Sequence, residues 1–398
     1  LKNSFLSLSP TAYLKRLEFP AVYKKDTDEL YELGEEAFEF LKSCHGNEFI
    51  ENLTQKEQEF VNYCLQENIL VKHPKVKKTL LKVGENETPS LRYLLVNLTE
   101  RCNLKCHHCY LGDSRNQDLS TNTLLKVFDE FDEMGGLRLI VSGGEPLLHP
   151  NFELINQALK NRTFRTILNT NATLLNAEKA SSLFFDEIQI SLDGLKHGHE
   201  SLRGPGTFEK AVKGIEFAKQ AGKDVSVATM VHAQNINEFD KLESLLKRHG
   251  VSSWSIDVPV VEGRLAENKS LLPPLDQTLK KIFEKQFGAE VHQSNGDYVC
   301  GAHLGAIQSN GKLTKCGFYE DWTGGNVSIG LREAWKKLPK MKLSELACDC
   351  PYLCNCRGGC RFRAEVYNKG NRQGADPVRC LLYEVNPKIG QPSQKRRE

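Results

Sequence analysis

From Leu91 to about Val260 the chain alternates short apolar runs with amphipathic stretches, and this alternation narrows the possible folds more than any other feature. The apolar runs are Leu94–Thr99, Leu137–Ser142, Thr166–Asn171, Glu187–Leu192, Asp224–Val231 and Ser252–Val258. Each has the length of a strand, and helical patterns such as Ser120–Met134 and Thr207–Ala221 fill the gaps. Strand–helix repetition of this kind predicts a parallel sheet with crossover helices. Six units fall short of the eight that close a full barrel. The expected fold class is therefore α/β, an open (β/α)6 partial barrel over residues 91–265.

Active sites of such barrels gather at the C-terminal ends of the strands. The first strand leads into Cys102, Cys106 and Cys109, spaced C-x3-C-x2-C. Three thiolates on one loop can each hold an iron of a [4Fe–4S] cluster, leaving the fourth iron without a protein ligand. A small molecule bearing an amine and a carboxylate can chelate that iron. A zinc loop is the plainer alternative, although zinc sites usually close with four ligands; free buried thiols are another. The second strand runs into Ser142-Gly143-Gly144-Glu145-Pro146, where side-chain-free backbone can approach a ligand and Glu145 can accept from an ammonium group. The third ends in Asn169-Thr170-Asn171-Ala172 and the fourth in Ser191-Leu192-Asp193-Gly194, with Arg203 shortly after as a carboxylate partner. Each feature alone is weak; their order, one per strand–helix unit, gives them weight.

The cysteine spacing with Tyr110 directly after it, the Gly143–Pro146 turn and the polar strand ends together resemble the radical S-adenosylmethionine (SAM) superfamily. The resemblance implies that Cys102, Cys106 and Cys109 hold a cluster that cleaves SAM to a 5′-deoxyadenosyl radical. It further implies that Gly143, Gly144, Glu145, Asn171, Ser191, Asp193 and Arg203 bind SAM. His107 and His108 read as loop-surface or packing residues.

Of thirteen cysteines, two lie early (Cys44 and Cys64, on apolar helix faces), three in the loop, and eight between Cys300 and Cys380. Clustering in a long chain points to metal in a reducing cytoplasm rather than to a disulfide scaffold. Cys300, Gly311 and Cys316 form C-x10-G-x4-C, and Cys350, Cys356 and Cys360 form C-x5-C-x3-C, with Cys380 beyond. This resembles the SPASM domain, expected over 266–386, which implies two auxiliary [4Fe–4S] clusters. Cys300, Cys316 and Cys360 would serve the first, and Cys350, Cys356 and Cys380 the second. Ala347 stands where that family has a further cysteine, so Cys348 and Cys354 are both left as candidates for the open positions. Zinc is the alternative here. A helix over Leu275–Phe287 and a disordered tail over 387–398 are also expected.

Residues 12–73, within a domain expected over 1–80, read as a small α+β unit. Leu14–Tyr23 and Leu30–Leu33 flank the turn Lys25–Asp28 as a hairpin. A helix at Glu35–Cys44 follows, then a capping box of Thr54 and Glu57, a second helix and a strand at Ile69–Val71. Lys72–Pro89 reads as a linker. The pattern resembles a winged helix, and in particular the PqqD-like recognition element of peptide maturases, which implies capture of a precursor-peptide leader on a free sheet edge near Asp26–Asp28. A packing domain is the alternative. A net charge of +2 gives no electrostatic case for nucleic acid or membrane, and no apolar run reaches the length of a membrane span. The resemblance thus implies a cytoplasmic radical SAM enzyme acting on a ribosomally made peptide (by thioether or carbon–carbon crosslinking, epimerisation or side-chain oxidation), supplied with electrons by a reductant such as flavodoxin or ferredoxin. Tetrapyrrole or other cofactor maturation is the second reading, and a non-catalytic iron–sulfur scaffold the third. Asp257, Glu262 and Arg264 are candidate substrate contacts.

Overall fold

The computed structural model describes residues 4–49, 53–74, 83–85, 87–112, 116–274, 285, 287 and 296–383. Most of the expected helix Leu275–Phe287, part of the expected linker and the expected disordered tail lie outside them.

The six expected strands are present as β8 (Tyr93–Asn97), β9 (Arg138–Ser142), β10 (Arg165–Thr170), β11 (Glu187–Ser191), β12 (Asp224–Met230) and β13 (Ser253–Asp257). All pair in parallel, in the order β13-β12-β11-β10-β9-β8. The helices between them include α3 (Thr121–Glu133), α4 (Phe152–Ala158), α5 (Ala177–Ser182), α6 (Lys196–Arg203), α7 (Thr207–Gln220) and α8 (Phe239–Arg248). Successive strand residues face opposite sides of a sheet. Leu139, Val141, Ile188, Ile190, Trp254 and Ile256 face the helices and join the main core. The alternate set, including Ser142, Gln189, Ser191, Ser255 and Asp257, faces the other way and stays at least partly open. The result is a curved sheet with an apolar outer layer and a polar lumen.

The sheet extends beyond the expected six strands. β14 (Leu304–Ile307) pairs in parallel with β8, and β15 (Lys312–Thr314) and β16 (Thr323–Asn326) continue antiparallel. The cysteine-rich region, expected to lack regular pattern, is thus partly grafted onto the barrel sheet. Cys300 and Cys316 flank β14 and β15 and are placed by that edge.

The N-terminal unit has two small sheets. β1 (Phe5–Leu8), lying ahead of the expected start, sits between β5 (His45–Phe49) and β6 (Leu70–His73). The second sheet has the order β4-β3-β2-β7, with β2 (Ala12–Arg16), β3 (Pro20–Lys24), β4 (Glu29–Glu32) and β7 (Gly84–Glu85). α1 (Glu35–Ser43) and α2 (Gln55–Gln66) pack Phe38, Leu41, Val61 and Cys64 into a separate core. The Thr54–Glu57 capping box forms as expected, with Glu57 accepting from the Thr54 backbone N–H at 2.8 Å.

The hairpin tip is not a free edge, contrary to expectation. Asp28 pairs with Arg138 at 2.5 Å, Lys25 with Asp186 at 3.1 Å, and Lys15 Nζ donates to Thr163 and to the Gly136 carbonyl. These barrel residues sit at the starts of strands, so the unit is docked on the face opposite the strand C-termini. Charges buried in pairs explain why: the barrel's Arg138 and Arg165 need acidic partners, and the tip supplies one. Among the described residues no helix is long and apolar enough to cross a membrane.

Asp28→Ala removes the carboxylate paired with Arg138 in this part-buried contact and also the acceptor of the Tyr23 hydroxyl. Breaking such a pair from one side is expected to cost about 3 kcal/mol. A urea-unfolding midpoint unchanged from wild type would show that the docking contributes nothing.

Candidate radical site at the barrel mouth

The loop after β8 carries Cys102, Cys106 and Cys109, and four separate elements hold it in place. Thr99 and Arg101 both bond Asp118, at 2.6 and 3.0 Å. The His107 backbone N–H donates to the Leu202 carbonyl at the end of α6. Asn103 exchanges bonds with Asn171 and Thr173 after β10. The strongest clamp is Arg264, whose guanidinium donates to the carbonyls of Cys106 at 3.1 Å and Gly112 at 2.6 Å. Gly263 lies so close that a Cβ there would stand 2.4 Å from the Cys109 carbonyl. The chain after β13 thereby closes the open side of the barrel onto the loop. Arg264 is a positioning residue in this arrangement, with its guanidinium turned to loop backbone.

The three thiols lie within electrostatic reach of one another. Burial pushes Cys102 up to about 11, and Glu145, Cys106 and Cys109 add to the shift. Burial also raises Cys106, while Arg203 and Arg264 pull it back. Anionic sulfur is therefore costly here without a metal, and two guanidinium groups stand ready to offset the charge once it forms. Among the described residues no three His, Cys, Asp or Glu side chains converge on one ion. A four-iron cluster makes a different demand, with its thiolates spread around a larger body.

The Gly143–Pro146 turn presses against the base of the same loop. Cβ atoms at Gly143 and Gly144 would stand 2.4 Å from the Thr99 carbonyl and 2.3 Å from that of Arg101. Glu145 is fully buried, and its carboxylate accepts from the Thr170 hydroxyl, the Asn171 N–H and the Leu147 N–H at 2.9 to 3.2 Å. It ties β9 to β10 and is spent within the fold, unlike the open ammonium acceptor expected from the motif.

Asp193 is equally buried and pairs with Arg203. Burial pushes its carboxyl up, but Arg203, His108 and His199 outweigh this and hold it at about 2. Arg203 feels Asp193, Cys106 and Cys102, so it stands between the strand end and the cluster loop. Asn171 is buried nearby, and Ser191 lines the lumen half-open. The expected SAM residues and the three cysteines therefore meet at one place. Sequence reasoning missed the end of β12, where Asn235 donates to the Asp193 carbonyl at 2.7 Å and His232 approaches it at 3.4 Å. His199 accepts from the Asp193 N–H at 3.1 Å. Extending the strand-end rule to the fifth strand would have found His232 and Asn235. Of the two roles expected for His108, the structure shows packing: burial, with Arg203 adding, pushes it down to about 3, and its Nδ1 has no partner among the described residues.

Beyond the lumen, Asp257 at the end of β13 is within electrostatic reach of Arg363 and Asp193, and Arg363 in turn of Cys360. Tyr110 packs against Phe318 at 5.0 Å, and Phe318 stacks on Phe362 at 5.0 Å. An aromatic wall thus joins the cluster loop to the Cys316 and Cys360 segments. The eight C-terminal cysteines are all free thiols, Cys300 and Cys354 exposed and the rest half-buried.

Residues 96–246 match the Radical SAM superfamily. The chain carries a radical SAM domain. It is 25% identical over 372 residues to the Fe-coproporphyrin III synthase of Methanosarcina barkeri, covering 78% of this chain and 92% of that protein. It is 27% identical over 333 residues to the mycofactocin maturase MftC of Mycobacterium ulcerans, covering 74% and 89%. The fold resembles that of SuiB from Streptococcus suis with a TM-score of 0.62 at 15% identity, over 89% of this chain and 96% of SuiB. SAM and a [4Fe–4S] cluster are the cofactors of this chemistry.

Glu145→Ala would leave the Thr170 hydroxyl and two backbone N–H groups without their buried acceptor. At about 1–3 kcal/mol for each unsatisfied group, the iron-free variant should unfold at clearly lower urea. Unchanged stability would mean the carboxylate faces the lumen after all.

Proposed function

We propose that this radical SAM enzyme modifies a ribosomally made precursor peptide whose leader binds the N-terminal unit. The observation that carries this reading is the free edge of β4. Within the described residues β4 pairs only with β3, and an unpaired edge can capture an extended peptide through main-chain hydrogen bonds. Two comparisons support it: MftC is a maturase by name, and a solved SuiB structure of similar fold is bound to a precursor peptide. The docking of the hairpin tip moves the capture site from Asp26–Asp28 to the strand beside it.

In this reading Cys102, Cys106 and Cys109 hold the SAM cluster, and the C-terminal cysteines hold two auxiliary clusters. When bound, the reduced cluster cleaves SAM and yields the radical that removes a hydrogen atom from the substrate. The chain's own residues hold the reactants in register. The Gly143–Gly144 backbone, Ser191 and Asn171 offer polar contacts at the strand ends. The buried Asp193–Arg203 pair presents a guanidinium, fixed in direction, to the carboxylate of SAM. Glu145 and Arg264 keep the turn and loop in place.

Replacing Cys102, Cys106 and Cys109 together by Ala should remove about four irons and all formation of 5′-deoxyadenosine, with the remaining iron retained. Asp193→Asn should weaken SAM binding about tenfold to hundredfold at unchanged iron content. SAM cleavage surviving the triple substitution would overturn the cluster assignment.

The Leu33 N–H bonds the Pro20 carbonyl, so by antiparallel alternation the Glu32 N–H points away from β3. Glu32→Pro removes that outward donor at an exposed edge position where proline is tolerated. It should lower affinity for a leader-bearing precursor peptide and that peptide's modification, and leave SAM cleavage intact. Full modification by Glu32→Pro would discard the β4 capture site.

A second reading, iron–coproporphyrin or another tetrapyrrole as substrate, rests on the synthase relatives, of which 92–93% of the chain length is matched. Anaerobic turnover of iron-coproporphyrin III with no turnover of any neighbouring peptide would select it.

A further inference from the structure

One level of the lumen differs from the usual filling of a barrel. The strand registers set Asn97 beside Ser142, Asn169 beside Gln189, Gln189 beside Ser226 and Ser226 beside Ser253. Val141 faces Leu168 one residue earlier, so Ser142 and Asn169 are neighbours as well. All six strands thus put an uncharged hydrogen-bonding side chain at one height, where barrel interiors are usually filled by branched apolar residues. Gln308, just past β14, extends the row by accepting from the Asn97 amide at 2.9 Å. Two residues earlier on the same face, Leu95, Ile140 and Ile167 make an apolar layer. Two residues later come Asn171 and Ser191, about 6.6 Å nearer the mouth.

The fold does not use up the hydrogen-bonding capacity of this row. The Oδ1 atoms of Asn97 and Asn169 are buried and have no hydrogen-bond partner among the described residues, although buried acceptors are nearly always satisfied. Asn97 as a whole is 2% exposed. Ser142, Asn169, Gln189 and Ser253 stand half-open to the lumen, where a guest can reach them. Ser226 is tied downward, its hydroxyl donating to Glu187 at 2.5 Å, and Glu187 spends its charge on Arg165.

We infer that this row is a substrate-binding floor below the SAM residues, and that it takes an uncharged group carrying both a donor and an acceptor, the backbone amide of a peptide segment held in the lumen. This rests on the reading that the substrate is a peptide. A carboxamide side chain carries N–H and C=O in one plane and can pair with a peptide amide by two hydrogen bonds. The Asn97 and Asn169 acceptors call for an incoming N–H. An ionised propionate offers acceptors only, and the row has no cation to match its charge.

The test uses two probes that differ at one end, N-acetylglycinamide and N-acetylglycine, both deuterated at the glycine methylene. Each is given to the anaerobically reconstituted full chain with SAM and dithionite. One electron from dithionite cleaves SAM to methionine and the 5′-deoxyadenosyl radical. That radical breaks a C–D bond of the bound probe and forms a C–D bond at its own C5′; a second electron and a proton quench the probe radical left behind. Mass spectrometry then reads deuterium in 5′-deoxyadenosine. At equal concentration the neutral amide should label it about tenfold more than the carboxylate. Asn169→Leu and Gln189→Leu, on separate strands, should each cut labelling by the amide about tenfold, with SAM affinity and total 5′-deoxyadenosine unchanged. Equal labelling by the two probes, or more by the carboxylate, would overturn the inference in the wild-type protein alone. So would amide labelling that both variants retain, or labelling lost in both only together with SAM affinity, the mark of a merely structural row. Failure of leader capture on β4 would show in the Glu32→Pro comparison and leave these probe results as they stand.

Discussion

The polar lumen is the constraint from which the rest follows. Six parallel strands put every second residue on each face, and one set is apolar enough to bury against the helices. The other set carries Ser142, Ser191, Ser255 and Asp257, polar side chains that stay at least partly open. Because the strands are parallel, their loops all open at one end. Glycines at 143, 144 and 263 let backbone meet backbone there at distances a Cβ would forbid, and so the cluster loop, the Gly143–Pro146 turn and the chain after β13 converge.

The two ends of the barrel use charge differently. At the strand starts, Arg138 and Arg165 are matched by Asp28, Glu187 and Asp224, so the network is closed and serves docking. At the strand ends, Asp193 and Arg203 pair with each other, yet Arg203 also senses the thiols of Cys102 and Cys106. A guanidinium oriented by a buried carboxylate and aimed at a cluster loop costs little reorganisation when an anionic group arrives.

Much of this was readable in the residues. The six barrel strands follow from period and length, and the Thr54–Glu57 cap from two residues three apart. The convergence of Cys102, Asp193 and Arg203 follows from placing motifs at strand ends. Three things were not readable. Glu145 looks like an open acceptor in sequence because nothing local shows that Thr170, 25 residues on, consumes its oxygens. The pairing of Leu304–Ile307 with β8 joins residues about two hundred positions apart, which periodicity cannot see. The hairpin tip reads as a free edge because its acidic residues look solvated until Arg138 and Lys25's partner Asp186 are found beneath it.

The central claim is that the loop thiols and the Asp193–Arg203 end of the fourth strand build one site where SAM meets an iron. Electron paramagnetic resonance of the dithionite-reduced protein, recorded before and after SAM is added, tests it most directly. The account predicts that SAM shifts the signal of one cluster and that this signal is missing when Cys102, Cys106 and Cys109 are replaced together. A spectrum indifferent to SAM, or a SAM-dependent shift that survives those replacements, would contradict it.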